Sequence, residues 1–476
     1  MTGRNLLLTS LAGLVACASL AARQGSTARA DSPVLFQGAR LIAGDGSNPL
    51  ERSAFTIEGG RISRVGREGE IPLPADGTRI DLQGKTVIPA LVSAHIHVGL
   101  LSGNDFGPEI YTRDKIVEHL QRYAFHGVGA VLSAGTDVGP LSFDIRRDQP
   151  RDAARLLTAG RGMASPNGGP GFPAIASTSF PITTADEGRQ RVRELAALRP
   201  NAVKIWVDDR GGRVKKLSPD LYIPIIEEAH ANGLIAVAHV YYLADAHALV
   251  DAGIDGFMHL VRDEVMDEGL IAKMKARNVF VAANLGGSRR AASAALSEDF
   301  FSLLTETVPA DVVGSLRASI TARDPKALAR AQATYQKMER SLARLNAAGV
   351  TIVLGGDTGI PSAWHGWAEH YELQAMVDAG MSPAQVIVAS TSAPARLLKL
   401  EDMGTIAAGK SADFVVLDAN PLENITNTRR IAAVYLRGQL LDRAALRARW
   451  TRPAAGGESP DEHRDPRGAP MARRDD

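Results

Sequence analysis

Apolar and polar positions change rhythm twice along this chain. Between residues 33 and 88 they alternate in short runs, "VLFQGARLIAGDG", "SAFTIEGGRISRVG" and "TRIDLQGKTVI", punctuated by glycine. Alternation with period two is the signature of half-buried strands joined by turns. It returns near the other end, in "GTIAAGKSADFVVLDANPL" and "RIAAVYLRGQLL". Neither flank holds enough strands to bury a face alone, so residues 33–88 and 402–443 are expected to build one composite β-sandwich.

The middle has a different beat. Eight short apolar runs, "VIPALVSAHIH", "GVGAVLSAG", "ARLLTAG", "NAVKIWVDD", "GLIAVAHV", "GIDGFMHL", "NVFVAANLGG" and "GVTIVLGGDTG", end in Gly, His or Asp. Segments with helical spacing separate them, such as "SPDLYIPIIEEAHANG" and "LADAHALVDAG". Eight βα units predict an α/β fold, a (β/α)8 TIM barrel over residues 89–401. A doubly wound sheet is the alternative, but it needs a Gly-rich phosphate turn ahead of a helix, which neither "GPGFP" nor "GGDTG" supplies. The stretch 297–347 exceeds one βα connection and predicts a helical insertion before the last strand.

At 476 residues, the chain has room for about three domains, or one large barrel with an accessory. Its 54 Lys+Arg against 53 Asp+Glu leave a formal charge of +1, which gives no argument for a nucleic-acid partner. The single cysteine, Cys17, excludes a disulfide framework and any Cys-based zinc site. At the N-terminus, Arg4 precedes the apolar stretch Leu6 to Ala22, which reads as an export signal over residues 1–30. Cleavage after Ala28-Arg29-Ala30 competes with a lipobox reading of Leu14-Val15-Ala16-Cys17, which makes Cys17 a lipid anchor. The expected location is therefore the periplasm or the outer membrane of a bacterium. The tail 452–476, rich in Pro, Gly, Arg and Asp, is expected to be disordered.

Barrel enzymes work at the C-terminal ends of their strands, and the polar exceptions to the apolar runs sit there. His95 and His97, two apart on one strand, project to the same side, so both reach one metal ion. His239, His259 and Asp357 end later runs, and Lys204 interrupts the fourth. As an ammonium, Lys204 is a poor ligand or a partner for Asp208 or Asp209. As a carbamate it is an anionic two-oxygen bridge. His119, His126, His230, His247 and His370 fall in or beside helices and read as packing or surface residues; His463 lies in the tail.

On these residues the chain resembles the amidohydrolase superfamily, in its binuclear branch of imidazolonepropionase-like and Xaa-Pro dipeptidase-like enzymes. "GKTVIPALVSAHIHVGL" looks like that family's entry to its first barrel strand, and "GTIAAGKSADFVVLDANPL" like its return to the β-domain. The resemblance implies two divalent ions, expected to be zinc. His95, His97 and Asp357 would hold the first, His239 and His259 the second, with carboxylated Lys204 bridging. Ala90 and Ser93 depart from the family's usual "PGLVDAH", and "SPNGGPGFP" lacks the histidine many relatives carry after the third strand.

The expected activity is hydrolysis of an amide or peptide C–N bond by metal-activated hydroxide, with Asp357 as the proton shuttle. The substrate expected is a dipeptide or N-acyl amino acid. Arg262 is the candidate for its carboxylate, Tyr241 for its carbonyl, and His365 for lining the pocket. A cyclic amidase or deaminase is the alternative within the superfamily; a non-catalytic periplasmic binding protein is the alternative outside enzymes. A homo-oligomer is compatible with the sequence.

Overall fold

The computed structural model describes residues 32–451. The export signal, the Cys17 anchor and the tail 452–476 lie outside the described residues. Eight parallel strands organise the centre: β1 (Leu91–Ile96), β2 (Val128–Ser133), β3 (Arg155–Thr158), β4 (Val203–Val207), β5 (Ala236–Val240), β6 (Gly256–Phe257), β7 (Phe280–Ala282) and β8 (Ile352–Val353). Nearly every residue in them is buried, because helices cover one face and the side chains of the other strands fill the space on the other. β-Branched residues and alanine dominate, as both faces demand.

The ladders form a three-stranded and a seven-stranded sheet rather than one continuous ring. The break follows β3, where Gly160 turns the chain at φ +64 and Met163–Ala164 resumes as a separate strand beside β4. Hydrogen bonds nonetheless cross both seams. Asn201 N–H donates to the Thr158 carbonyl at 2.8 Å, and Ala94 N–H to that of Leu354 at 2.8 Å. His97 N–H donates to the Thr358 carbonyl at 2.7 Å.

Some of the helices between the strands start at side-chain caps that the sequence supplies. Thr112 accepts from Lys115 N–H ahead of Arg113–Phe125, and Thr184 accepts from Glu187 N–H ahead of Ala185–Ala197. Within 297–347 lie three helices, Glu298–Leu304, Ala310–Thr321 and Pro325–Ala348. The last, capped by Asp324 and closed by Gly349 at φ +75, packs Met338, Leu342 and Leu345 on the main core. The first two pack Phe300, Leu304, Val312 and Leu316 against Trp364 and Trp367 instead.

Both chain ends contribute to the remaining β-structure. One sheet takes Arg61–Arg67, Ser53–Glu58, Val34–Gln37 and Thr78–Asp81; the other takes Arg40–Leu41, Thr86–Pro89, Phe414–Leu417, Ile431–Leu436 and Gln439–Leu440. Phe36 stacks on Phe55 at 4.9 Å and meets Phe414 edge-on at 5.4 Å, so the sheets share one aromatic core. Each fully buried Phe contributes about 1.5–3 kcal/mol. No helix among the described residues is long and apolar enough to cross a membrane.

Candidate metal centre

The C-terminal ends of the strands surround a cavity of about 290 Å³. His95, His97, His239, His259 and Asp357 all line it. Their rings form a chain: centroids lie 5.4 Å apart for His97 and His95, 5.0 Å for His95 and His259, and 4.4 Å for His259 and His239. His95, His97 and Asp357 each offer a ligand atom within 4.8 Å of the others. Four strands far apart in sequence place these groups, which is why only alternate residues at strand ends converge.

Partners orient the rings. His95 Nδ1 lies 2.9 Å from the Met258 carbonyl and donates to it, leaving Nε2 free toward Asp357. His97 Nδ1 is 2.7 Å from Thr136 Oγ1, with Nε2 3.0 Å from Asp357 Oδ1. His239 Nε2 donates to Asp208 Oδ2 at 3.1 Å, leaving Nδ1 as its free nitrogen. Such outer contacts fix tautomer and ring angle at metal sites. Burial holds His95 and His259 well below the usual histidine range, and His239 at about 4, so these rings are neutral as ligation requires.

Lys204 is wholly buried, and its Nζ has no hydrogen-bond partner. Neither neighbouring aspartate serves it. Asp208 pairs with Arg210 at 2.7 Å, and Asp209 accepts from Tyr242 Oη at 2.7 Å. Burial brings the Lys204 pKa down to about 7, with Asp357 opposing and Arg210 adding to the shift. Burial works against the Asp357 carboxylate, yet His95, His97 and Lys204 together hold it well below the ordinary range. Lys204 is thus an orphaned buried amine coupled by charge to Asp357, although it is not itself among the residues lining the cavity.

The remaining candidates separate. Arg262 lines the cavity, with Nη2 3.0 Å from His259 Nδ1 and no carboxylate partner among the described residues. Tyr241 meets the Tyr242 ring at a tilt, centroids 4.8 Å apart, below the Arg262 guanidinium, and is not among the residues lining the cavity. His365 is also outside that lining. It stacks on His119 at 3.7 Å behind His97, whose carbonyl lies 3.3 Å from its Nε2. The loop after β3 forms that part of the wall instead, as "SPNGGPGFP" supplies Pro170, Gly171 and Phe172.

Sequence reasoning passed over Trp206, Arg210 and Asn284. Trp206 and Arg210 line the cavity; alternation along β4 from Lys204 points to the first. Asn284 follows β7 with φ +51, and its Nδ2 contacts the Met258 carbonyl and lies 2.8 Å from His95 Nδ1 and 3.0 Å from His259 Nδ1. Nothing local marks it.

Residues 86–441 match the Amidohydrolase family. The chain belongs to that family. It is 26% identical over 412 residues to imidazolonepropionase of Paracoccus denitrificans, covering 81% of this chain and 93% of the relative. It is 28% identical over 452 residues to ochratoxinase of Aspergillus niger, covering 84% of each. A solved Xaa-Pro dipeptidase with methionine bound in its active site shares the fold, with a TM-score of 0.69 at 20% identity over 86% of this chain and 99% of that one. This amidohydrolase is therefore a hydrolase acting on carbon–nitrogen bonds. Its superfamily generally binds divalent metals, and His95, His97 and Asp357 form the candidate site.

Proposed function

We propose that this amidohydrolase cleaves the C–N bond of a dipeptide or N-acyl amino acid at the mouth of a (β/α)8 barrel flanked by a composite β-sandwich. The observation that carries the reading is the buried, unpartnered Lys204 amine beside the His95, His97 and Asp357 cluster. His95, His97 and Asp357 would hold one ion, His239 and His259 a second, and the nitrogen–oxygen donor set suits zinc. Bound there, two divalent ions supply Lewis acidity and an acidified water.

The chain's own groups do the rest. With its pKa lowered to about 7, Lys204 is present in part as the neutral amine that reacts with carbon dioxide. The nitrogen–carbon bond forms, a proton leaves, and the carbamate offers two anionic oxygens. Asp357, at 3.0 Å from His97, takes the proton of the attacking water and returns it to the leaving nitrogen. Arg262 receives the substrate carboxylate, while Phe172, Ile175, Trp206 and Ile360 offer an apolar wall to its side chain. Export through the segment Leu6 to Ala22 places the reaction outside the cytosol.

Similarity to the imidazolonepropionases over most of their length favours a second reading, ring opening of a cyclic amide. Purified zinc-reconstituted protein assayed on dipeptides, N-acyl amino acids, lactams and hydantoins decides between them. Turnover of linear carboxylate-bearing amides that a chelator abolishes is expected. Ring opening alone would replace the first reading with the second, and turnover unaffected by complete metal removal would overturn both.

A further inference from the structure

The helix Trp367–Asp378 carries two buried carboxylates that the chemistry above does not use. Glu369 and Glu372 stand one turn apart, and both are wholly buried. Removing a carboxylate from water is costly, so two on one helix require partners of comparable strength. Burial pushes both up to about 7.

Their partners are the segments that bear the metal-site residues. Glu369 Oε1 accepts from Thr358 Oγ1 at 2.9 Å and from Ser93 Oγ at 3.3 Å, and Oε2 accepts from Gly366 N–H at 2.9 Å. Thr358 directly follows Asp357, whose backbone sits at φ +48, a left-handed conformation that a non-glycine residue keeps only when its surroundings impose it. Ser93 lies two residues before His95 on β1. One carboxyl group thus ties the Asp357 turn to the strand that carries His95 and His97.

Glu372 reaches the other side. It accepts from the backbone N–H groups of Leu285 and Gly286, the two residues after Asn284. Gly286 admits this approach because a Cβ there would stand 3.0 Å from Glu372 Oε2. Asn284 in turn touches the Met258 carbonyl and lies beside both His95 and His259.

We propose that Glu369 and Glu372 are positioning residues of the metal centre, holding the two ligand groups in register from behind. The proposal rests on the metal-binding reading given above. Neither glutamate lines the cavity; each acts through the residues it fixes.

The test uses the full chain, zinc-reconstituted, as wild type, Glu369→Gln, Glu372→Gln and His370→Gln. His370 lies between the glutamates but bonds away from the cavity, to Thr428 Oγ1 at 3.0 Å and the His126 carbonyl at 2.8 Å. Zinc affinity is read by chelator competition, and the Tm of the metal-free protein is read separately. Loss of an outer-sphere partner typically weakens metal binding about 10- to 100-fold, and that loss is expected for both glutamate variants, with kcat falling and KM little changed. His370→Gln should lower Tm and leave zinc affinity alone. Glutamate variants that lower Tm but bind zinc as tightly as wild type would overturn the proposal. If either glutamate variant fails to fold, Ser93→Ala and Thr358→Val delete the Glu369 donors at small cost in volume and are judged by the same criterion. Wild-type protein that binds no divalent ion would sink the metal-centre reading itself, a result distinct from unchanged affinity in the variants.

Discussion

His97 Nε2 and Asp357 Oδ1 lie 3.0 Å apart, although 260 residues separate them in the chain. The contact joins the end of β1 to the turn after β8, and it places a carboxylate beside two imidazoles that a metal would share. Asp357→Asn keeps the shape and removes both charge and basicity. The expected result is a fall in kcat of about 100- to 10,000-fold, with ion binding by His239 and His259 largely kept. Steady-state kinetics with metal analysis of the same sample checks it; near-normal kcat at full metal content would exclude Asp357 as the proton shuttle.

Lys204→Ala removes the amine expected to carry the carbamate. Activity should drop to a small residue, and acetate or propionate should restore part of it by supplying an anion in the vacated space. Assays across a carboxylic-acid series measure the rescue. Unchanged turnover would make Lys204 a packing residue.

Arg262 lines the cavity without an acidic partner among the described residues. Charge-assisted hydrogen bonds contribute about 1.5–3 kcal/mol, so Arg262→Met should raise KM for carboxylate-bearing substrates about 10- to 100-fold. Amides lacking the carboxylate should be processed as by wild type. Equal losses on both substrate types would remove the carboxylate-binding role.

Stability should depend on pH through the buried glutamates. Burial lifts Glu369 and Glu372 from an ordinary 4.5 to about 7. Between these values the folded protein keeps protons that the unfolded chain has released, so each group's contribution falls as pH rises through that window. The Tm of metal-free wild type should therefore decline from about pH 5 to about pH 8 more steeply than that of Glu369→Gln. Parallel slopes would show that Glu369 is ionised throughout.

Gly135 tests how tightly the site's rear wall is built. It sits at φ +95, and a Cβ there would meet Lys204 Cγ at 2.6 Å and the Trp206 ring at 2.9 Å. Strain and overpacking each cost about 1–3 kcal/mol, so Gly135→Ala should lower Tm by several degrees and reduce activity. Thermal unfolding with kinetics reads both, and a neutral substitution would mean that the wall yields.

What the sequence by itself determined is the part written in short-range periodicity. Eight apolar runs mark where strands lie, because strands covered on both faces must be apolar throughout. The spacing of His95 and His97 already puts both on one side of a strand. Tertiary structure decided the rest. The third run ends at the Gly160 turn and the chain resumes at Met163–Ala164 in the other sheet, and no local pattern announces a ladder that ends early. His365 looked as eligible as Arg262, yet it turns behind His97 to stack on His119 while the loop bearing Phe172 takes the wall. Asp208, Asn284, Glu369 and Glu372 gain their meaning from contacts spanning from 11 to 276 residues of chain. A side chain's period tells which face of its own element it occupies. Which other elements meet that face is set by how the whole core packs.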